Sequence, residues 1–261
     1  MTTVQAKNLR KSILKIAFIG QDANLQSLFS SVEILRVLYD RIMNVTHEEE
    51  TKRDRFVLSK GQSTMALLAL LAEKGILDSA ELKTACQYDA SVSMQADRTK
   101  LSCMETSAGS LGHGLPMAVG MAWGNKLKGS TGRVFVLAGD GEMNEGTMWE
   151  AILFAASEKL DNLTLIIDDN DSIGKMISMG DLAQKLSAFG FVTVTVDGHD
   201  EDALEQSLKT PHAREPLAVI AKTIRGYGSK TIMTDASWFH RAPNRKEFDE
   251  LCAEVDHFDK M

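Results

Sequence analysis

Asp140 and Asn170 are the two residues in this chain whose types, surroundings and spacing most directly point to chemistry. Asp140 lies between Gly139 and Gly141 at the end of an apolar run, and Asn170 closes the next apolar run 170 − 140 = 30 residues later. If both runs are parallel strands joined by a crossover, their carboxyl ends share one edge of the sheet, where open α/β proteins bind ligands. The pair then offers one carboxylate oxygen and one amide oxygen, and the carbonyl of Ser172 on the following turn adds another. Such hard oxygen donors leave room for two phosphate oxygens and a water, the arrangement of a Mg²⁺ held jointly by protein and a diphosphate. The flanking glycines let the backbone come close to the phosphates. A helix starting just beyond aims its free N–H groups at the same edge and favours an anion there. Asp-Gly between apolar runs is also a hairpin signal, so the elements around it decide.

Those elements favour the ligand reading. Val134–Ala138 is a short apolar run of the kind buried on both faces of a parallel sheet. Asn144–Leu160 carries Met148, Ile152, Ala155 and Ala156 against Glu150, Glu158 and Lys159, which suits a helix. Leu163–Ile167 is a second buried strand. Arg55–Ser59, Phe191–Val196 and Leu217–Thr223 complete a predicted parallel sheet of about five strands with helices on both faces, an α/β fold. Predicted helices cover Val4–Ile19, Ser30–Met43, Thr64–Lys74, Leu182–Phe189 and Asp202–Leu208. Gly20–Gln26 reads as a polar loop between the first two. Asp78 with Glu81 predicts a capping box for a helix through about Cys86, and Asn244 with Glu247 predicts another for a terminal helix. Ala90–Met104 and Arg225–Asn244 read as long irregular loops. Asp197–Asp200 reads as a turn with Asp200 as a helix N-cap and His199 structural.

With 261 residues, of which 44% are hydrophobic, the chain is long enough for one large α/β domain, and a single domain over 1–261 is expected. A net charge of −7 argues against nucleic acid or an anionic membrane surface as partner. The 3 cysteines, Cys86, Cys103 and Cys252, are widely spaced and form no CxxC pair, so neither a disulfide framework nor a zinc site is indicated. A reducing, cytoplasmic setting is expected. Lys7, Arg10, Lys11 and Lys15 interrupt the N-terminal apolar residues, so no signal-peptide core forms, and Met65–Ala72 is far short of a membrane span.

Ser107–Lys128 opens with Gly109, Gly112 and Gly114 and continues as a helix of small residues after Pro116. No strand precedes its Gly-His-Gly, which excludes a dinucleotide fingerprint. A tight helix start with no ligand is the plain alternative.

The segment GDGEMNEGTMWEAILFAASEKLDNL, closed by Asn170, resembles the thiamine diphosphate motif of the transketolase family, and the similarity runs from about residue 10 to 250. The resemblance implies the thiamine diphosphate-binding fold, with thiamine diphosphate and Mg²⁺ as cofactors. It places metal ligands at Asp140, Asn170 and Ser172. It places cofactor contacts at Gln62, Gly109, Leu111, Gly139, Asp140, Gly141, Glu142, Asn170 and Ile173, with Leu111 against the aminopyrimidine. Candidate catalytic residues are His113, Glu145 and His240. Glu145 matches an acid lying between the two cofactors of the family's dimer, and its plain alternative is an acid favoured by a helix N-terminus.

The resemblance also implies a missing part. The family's pyrimidine-binding domain, which supplies the glutamate that activates the cofactor, has no counterpart here, so a partner chain carrying it is expected, assembled as a heterotetramer. The implied reaction cleaves a C–C bond next to a carbonyl and passes a two-carbon ketol or acyl unit to an aldehyde-type acceptor. The departures concern histidines. Asn24 or a neighbour, Gln62 and Gln95 stand where the family has histidines that bind cofactor phosphate and the hydroxyls and carbonyl of a ketose. Amides keep hydrogen bonding but shuttle no protons near neutral pH. The donor is therefore left open between a ketose and a 2-oxo acid such as pyruvate. A non-catalytic scaffold is the alternative of another class.

Overall fold

The computed structural model describes residues 3–45, 49–172 and 177–258. The chain gathers into two compact units, one formed by residues 37–60 and 108–222 and the other by residues 1–36, 61–107 and 223–261. In chain order the helices and strands are α1 (Val4–Gly20), α2 (Leu25–Ser30), α3 (Val32–Val37), β1 (Arg55–Leu58), α4 (Thr64–Glu73), α5 (Gly114–Leu127), β2 (Val134–Gly139), α6 (Gly146–Ser157), β3 (Leu163–Asp169), α7 (Leu182–Ala188), β4 (Val192–Asp197), α8 (Glu201–Leu208), β5 (Leu217–Lys222), α9 (Lys230–Thr234) and α10 (Arg245–His257).

The first unit holds a five-stranded, all-parallel sheet of order β1-β2-β3-β5-β4. Burial follows that order. Every residue of β2 is buried and only the last residue of β3 is not, as expected for central strands covered on both faces, whereas edge strand β4 alternates Val with Thr and is half-exposed. One face carries Val57, Val134, Val136, Ala138, Leu165, Ile167 and Ile220, which pack with Leu115 and Ala118 of α5, Met148 and Ile152 of α6 and Leu186 of α7. Each large apolar side chain removed from water here contributes about 1.5–3 kcal/mol. The opposite face carries Phe56, with Tyr39 edge-on at 5.6 Å between ring centroids. Tyr39 belongs to a single π-helical turn, Leu38–Ile42, that carries on from α3. The Arg41 guanidinium next to it bonds Glu201, Asp202 and Glu205 of α8 and ties that helix down.

The second unit is helical. Its centre is the fully buried Arg10, whose guanidinium makes two bonds to the Glu33 carboxylate, at 2.7 and 2.8 Å, and two more to the carbonyls of Tyr227 and Phe29. A buried charge is tolerated only when it is hydrogen-bonded in this way. Gly228 sits against it at φ +109°, where a Cβ would meet Arg10 Nε at 2.4 Å.

Several boundaries differ from the sequence reading for identifiable reasons. The expected polar loop Gly20–Gln26 ends early, because Gln26 is buried in α2 with its amide donating to the Ile232 carbonyl at 2.9 Å. No helix runs from Asp78 through Cys86. Asp78 accepts from the Ala80 N–H at 2.9 Å, Glu81 bonds the Ser91 hydroxyl instead of closing a box, and only a short turn, Glu81–Thr84, forms. The irregular stretch Arg225–Asn244 contains α9, capped by the Ser229 hydroxyl. α6 begins at Gly146, after a separate turn at Gly141–Asn144. The box at Asn244 and Glu247 and the cap at Asp200 form as expected. Among the described residues no helix is long and apolar enough to cross a membrane.

Candidate functional site

The site is built where β1, β2 and β3 end. Because the strands are parallel, Lys60, Asp140 and Asn170 leave the sheet at one rim, and the register pairs Gly139 with Asp168. The Asp140 N–H bonds the Asp168 carbonyl at 3.2 Å, which extends the ladder by one rung and fixes the aspartate beside β3. Its side chain is buried at 7% exposure, and Asn170 is buried at 6%.

Ser172 closes over this pair. Its backbone N–H donates to Asp140 Oδ2 and its hydroxyl to Oδ1, each at 2.7 Å. Ser172 therefore meets Asp140 as a donor through two groups, whereas the sequence reading used only its carbonyl. A carboxylate offers about four lone-pair sites, so two donors still leave both oxygens able to face a cation. The donor set fits a hard divalent cation shared with ligand oxygens. It does not form a metal site by itself: among the described residues no three His, Cys, Asp or Glu side chains gather to hold one.

Behind the rim, the buried Lys60 ammonium bonds the fully buried Asp168 carboxylate. That pair cancels its own charge and leaves Asp140, with Glu142 behind it, as the rim's other buried carboxylates. Sequence reasoning did not find it. A Lys and an Asp separated by 168 − 60 = 108 positions carry no local signal, and only the strand order brings them together.

Glu142 is also turned inward. It accepts from the Ser59 hydroxyl, the Gly112 N–H at 2.8 Å and the Gly139 N–H at 3.3 Å. One carboxylate thus ties together the ends of β1 and β2 and the glycine loop before α5. Burial pushes its carboxyl up. The three donors oppose that push and the Glu145 charge adds to it.

The glycine loop is held on both sides. Gly112 has φ +78°, and a Cβ there would lie 2.4 Å from Thr147 Oγ1 and 2.6 Å from Glu145 Cβ. Its carbonyl accepts from the Thr147 hydroxyl at 2.8 Å. Glycine is needed for the backbone conformation and for the close approach. Gly114 likewise presses on the end of β1, where a Cβ would lie 2.6 Å from Ser59 Cα. Leu111 is half-buried, and Gly109, at φ +153°, is exposed.

The expected catalytic residues are less tied. His113 is exposed at the start of α5 with Nδ1 3.1 Å from its neighbour's carbonyl at Leu111. Glu145 is exposed at the start of α6, and its side chain makes no cap bond. His199 is buried in the turn after β4, where its backbone N–H bonds Asp197 Oδ1 at 2.9 Å. Ile173 lies outside the described residues.

Gln62 and His240 belong to the helical unit. Gln62 is half-buried in the Gly61–Ser63 turn, and a Cβ at Gly61 would lie 1.9 Å from Gln95 Oε1, so Gln95 packs against the residue before Gln62. His240 is exposed at φ +52°, edge-on to Phe239 at 4.5 Å, with Nδ1 3.8 Å from Asp22 Oδ1.

Comparison with known proteins agrees with this geometry. Residues 26–251 match the family model described as transketolase, thiamine diphosphate binding domain. A protein of Rhodococcoides fascians named ferredoxin fas2 is 41% identical over 79% of the chain and 68% of its own length. A protein of Actinobacillus succinogenes named as a subunit of apulose-4-phosphate transketolase is 36% identical over 96% of the chain and 94% of its own length. Among solved structures, transketolase from Leishmania mexicana superposes with a TM-score of 0.86 at 24% identity, covering 96% of the chain but 40% of that protein. The chain therefore spans less than half the length of that transketolase.

Proposed function

The chain belongs to the transketolase family and carries its thiamine diphosphate-binding domain, and from that premise we propose that it is one half of a two-chain, Mg²⁺-dependent transketolase. In the proposal both units form one domain, a reading supported by the matched stretch, which includes residues of each. The observation that carries the reading is the buried Asp140–Asn170 pair at adjacent strand ends, with Ser172 fastened to the aspartate. In the proposal Asp140, Asn170 and the Ser172 carbonyl hold Mg²⁺, and the metal holds the diphosphate. Gly139 and Gly141 admit the phosphates, while Glu142 keeps the Gly112 loop in place for Leu111 and Gly109 to meet the rest of the cofactor. When bound, thiamine diphosphate supplies the nucleophile and the electron sink for cleaving a C–C bond next to a carbonyl.

The second chain supplies the pyrimidine-binding domain, and the pair assembles as a heterotetramer. The second chain is supported by alignment over nearly all of a relative whose own name makes it one subunit of a transketolase. The name of that same relative supports a sugar phosphate as donor, and the proposed transfer takes an aldehyde as acceptor. Loss of imidazoles at Gln62 and Gln95 favours the second reading, a 2-oxo acid donor. The test is a donor screen of the chain co-expressed with the product of an adjacent reading frame, following ketose and 2-oxo acid consumption separately. Ketose consumption that needs both chains, Mg²⁺ and thiamine diphosphate is the expected result. No heat of thiamine diphosphate binding with the partner present would leave a scaffold.

A further inference from the structure

Three buried carboxylates, Asp140, Glu142 and Asp168, stand at the rim, and Lys60 is the one buried lysine or arginine of the sheet unit among the described residues. Lys60 is fixed at both ends. Its N–H and that of Ser59 both donate to the Leu137 carbonyl, at 2.8 and 2.9 Å, so β1 ends turned toward β2. Its ammonium bonds Asp168 at the end of β3, two strands away. Neighbouring strands lie about 4.8 Å apart, so the side chain crosses the end of β2. It does so beside Gly139, where a Cβ would lie 3.6 Å from Lys60 Cγ and 3.7 Å from Cδ. Asp140 follows directly, with its N–H on the Asp168 carbonyl.

A strut that only held β1 to β3 would gain little from being ionic, because apolar groups of similar volume often stabilise a fold as well as a buried ion pair does. Charge has a second use at this place. A diphosphate entering a rim with three carboxylates meets repulsion, and Lys60 is placed to oppose it. Buried charges are screened far less by salt than exposed ones, and a charge fixed in advance needs no rearrangement when the ligand arrives.

We infer that Lys60, held across the end of the sheet by Asp168, is a positioning residue that sets the rim's affinity for the diphosphate through its charge; this rests on the proposed cofactor site. No contact between Lys60 and the phosphates is required. Asp168 has the opposite influence, since it both anchors the lysine and offsets it.

Calorimetric titration of the co-expressed pair of chains with thiamine diphosphate at saturating Mg²⁺ tests this on wild type, Lys60→Met, Asp168→Asn and the double exchange. One unit charge at short range in a medium of effective dielectric near 20 changes binding by on the order of tenfold. Lys60→Met should therefore bind thiamine diphosphate more weakly by about that factor, and Asp168→Asn more tightly. The double exchange, which restores the net charge, should return to within about threefold of wild type. Weakening by both single exchanges marks a strut between strands and overturns the inference, as does unchanged affinity in both. If Lys60→Met does not assemble, Asp168→Asn and the double exchange decide, because they differ only at position 60; equal affinity in those two overturns it. A wild-type pair that shows no Mg²⁺-dependent binding removes the cofactor site and this inference with it. Wild-type binding without the opposite signs removes this inference alone.

Discussion

The buried carboxylates of the sheet rim and three polar atoms on the loops of the helical unit differ in their hydrogen bonding. At the rim each buried carboxylate already has partners: Asp168 has Lys60, Glu142 has three donors and Asp140 has two from Ser172. On the loops Asp22 Oδ1, Asn24 Oδ1 and Trp238 Nε1 accept or donate no hydrogen bond among the described residues. A site that must hold a highly charged group benefits from being built in advance, because preorganised dipoles need no rearrangement when the charge arrives.

The largest effect that would break this comparison comes from the rim. Asp140→Ala removes a rim charge that the Lys60–Asp168 pair leaves uncancelled. Mg²⁺-dependent thiamine diphosphate binding should fall by more than the roughly 10–100-fold expected for losing an outer-shell partner, with unchanged circular dichroism. Calorimetry of the assembled enzyme reads it, and unchanged affinity would remove the assignment. Next in size is Gly112→Ala. A side chain at φ +78° costs about 1–3 kcal/mol, and this one also collides with Thr147 and Glu145. The urea midpoint should drop accordingly, and no drop would mean the loop is not held as described.

On the loop side, histidine at positions 62 and 95 sharpens the comparison. If donor choice lies with these amides, Gln62→His combined with Gln95→His should raise ketose kcat/KM about five- to tenfold, the value of one added hydrogen bond. A flat response places specificity on other residues.

The same contrast marks what the sequence made readable. Asp140, Asn170 and the strands that carry them were legible because buried parallel strands write continuous apolar runs, and a glycine pair beside an acid is a local signal. The Lys60–Asp168 pair and the inward turn of Glu142 were not, because both depend on strand neighbours distant in sequence. The Asp78–Glu81 box failed for a related reason: Ser91 offered Glu81 a better partner than its own helix start did. Asn24, Gln62, Gln95 and His240 were noticed only as departures from a family pattern. Nothing in their local sequence marks them as a site.

The smallest expected effect concerns Glu142, and its sign separates positioning from ligand contact. Burial raises its folded-state pKa above the unfolded value, with the Ser59 hydroxyl and two backbone amides holding the rise down. Between the unfolded and folded values the native protein binds more proton than the unfolded chain, so stability falls as pH rises. The contribution is therefore complete below the ordinary glutamate range and is lost as pH climbs through the raised folded value. Glu142→Gln keeps the acceptor for Gly112 and removes the titration. Its urea midpoint should therefore be flatter across that window than the wild type's, while thiamine diphosphate affinity stays within about twofold, under the worth of a single hydrogen bond. If the variant instead loses cofactor affinity at a pH where its stability matches the wild type's, the carboxylate faces the ligand after all. The rim's acids would then divide differently, with Glu142 standing beside Asp140 in the site instead of behind it.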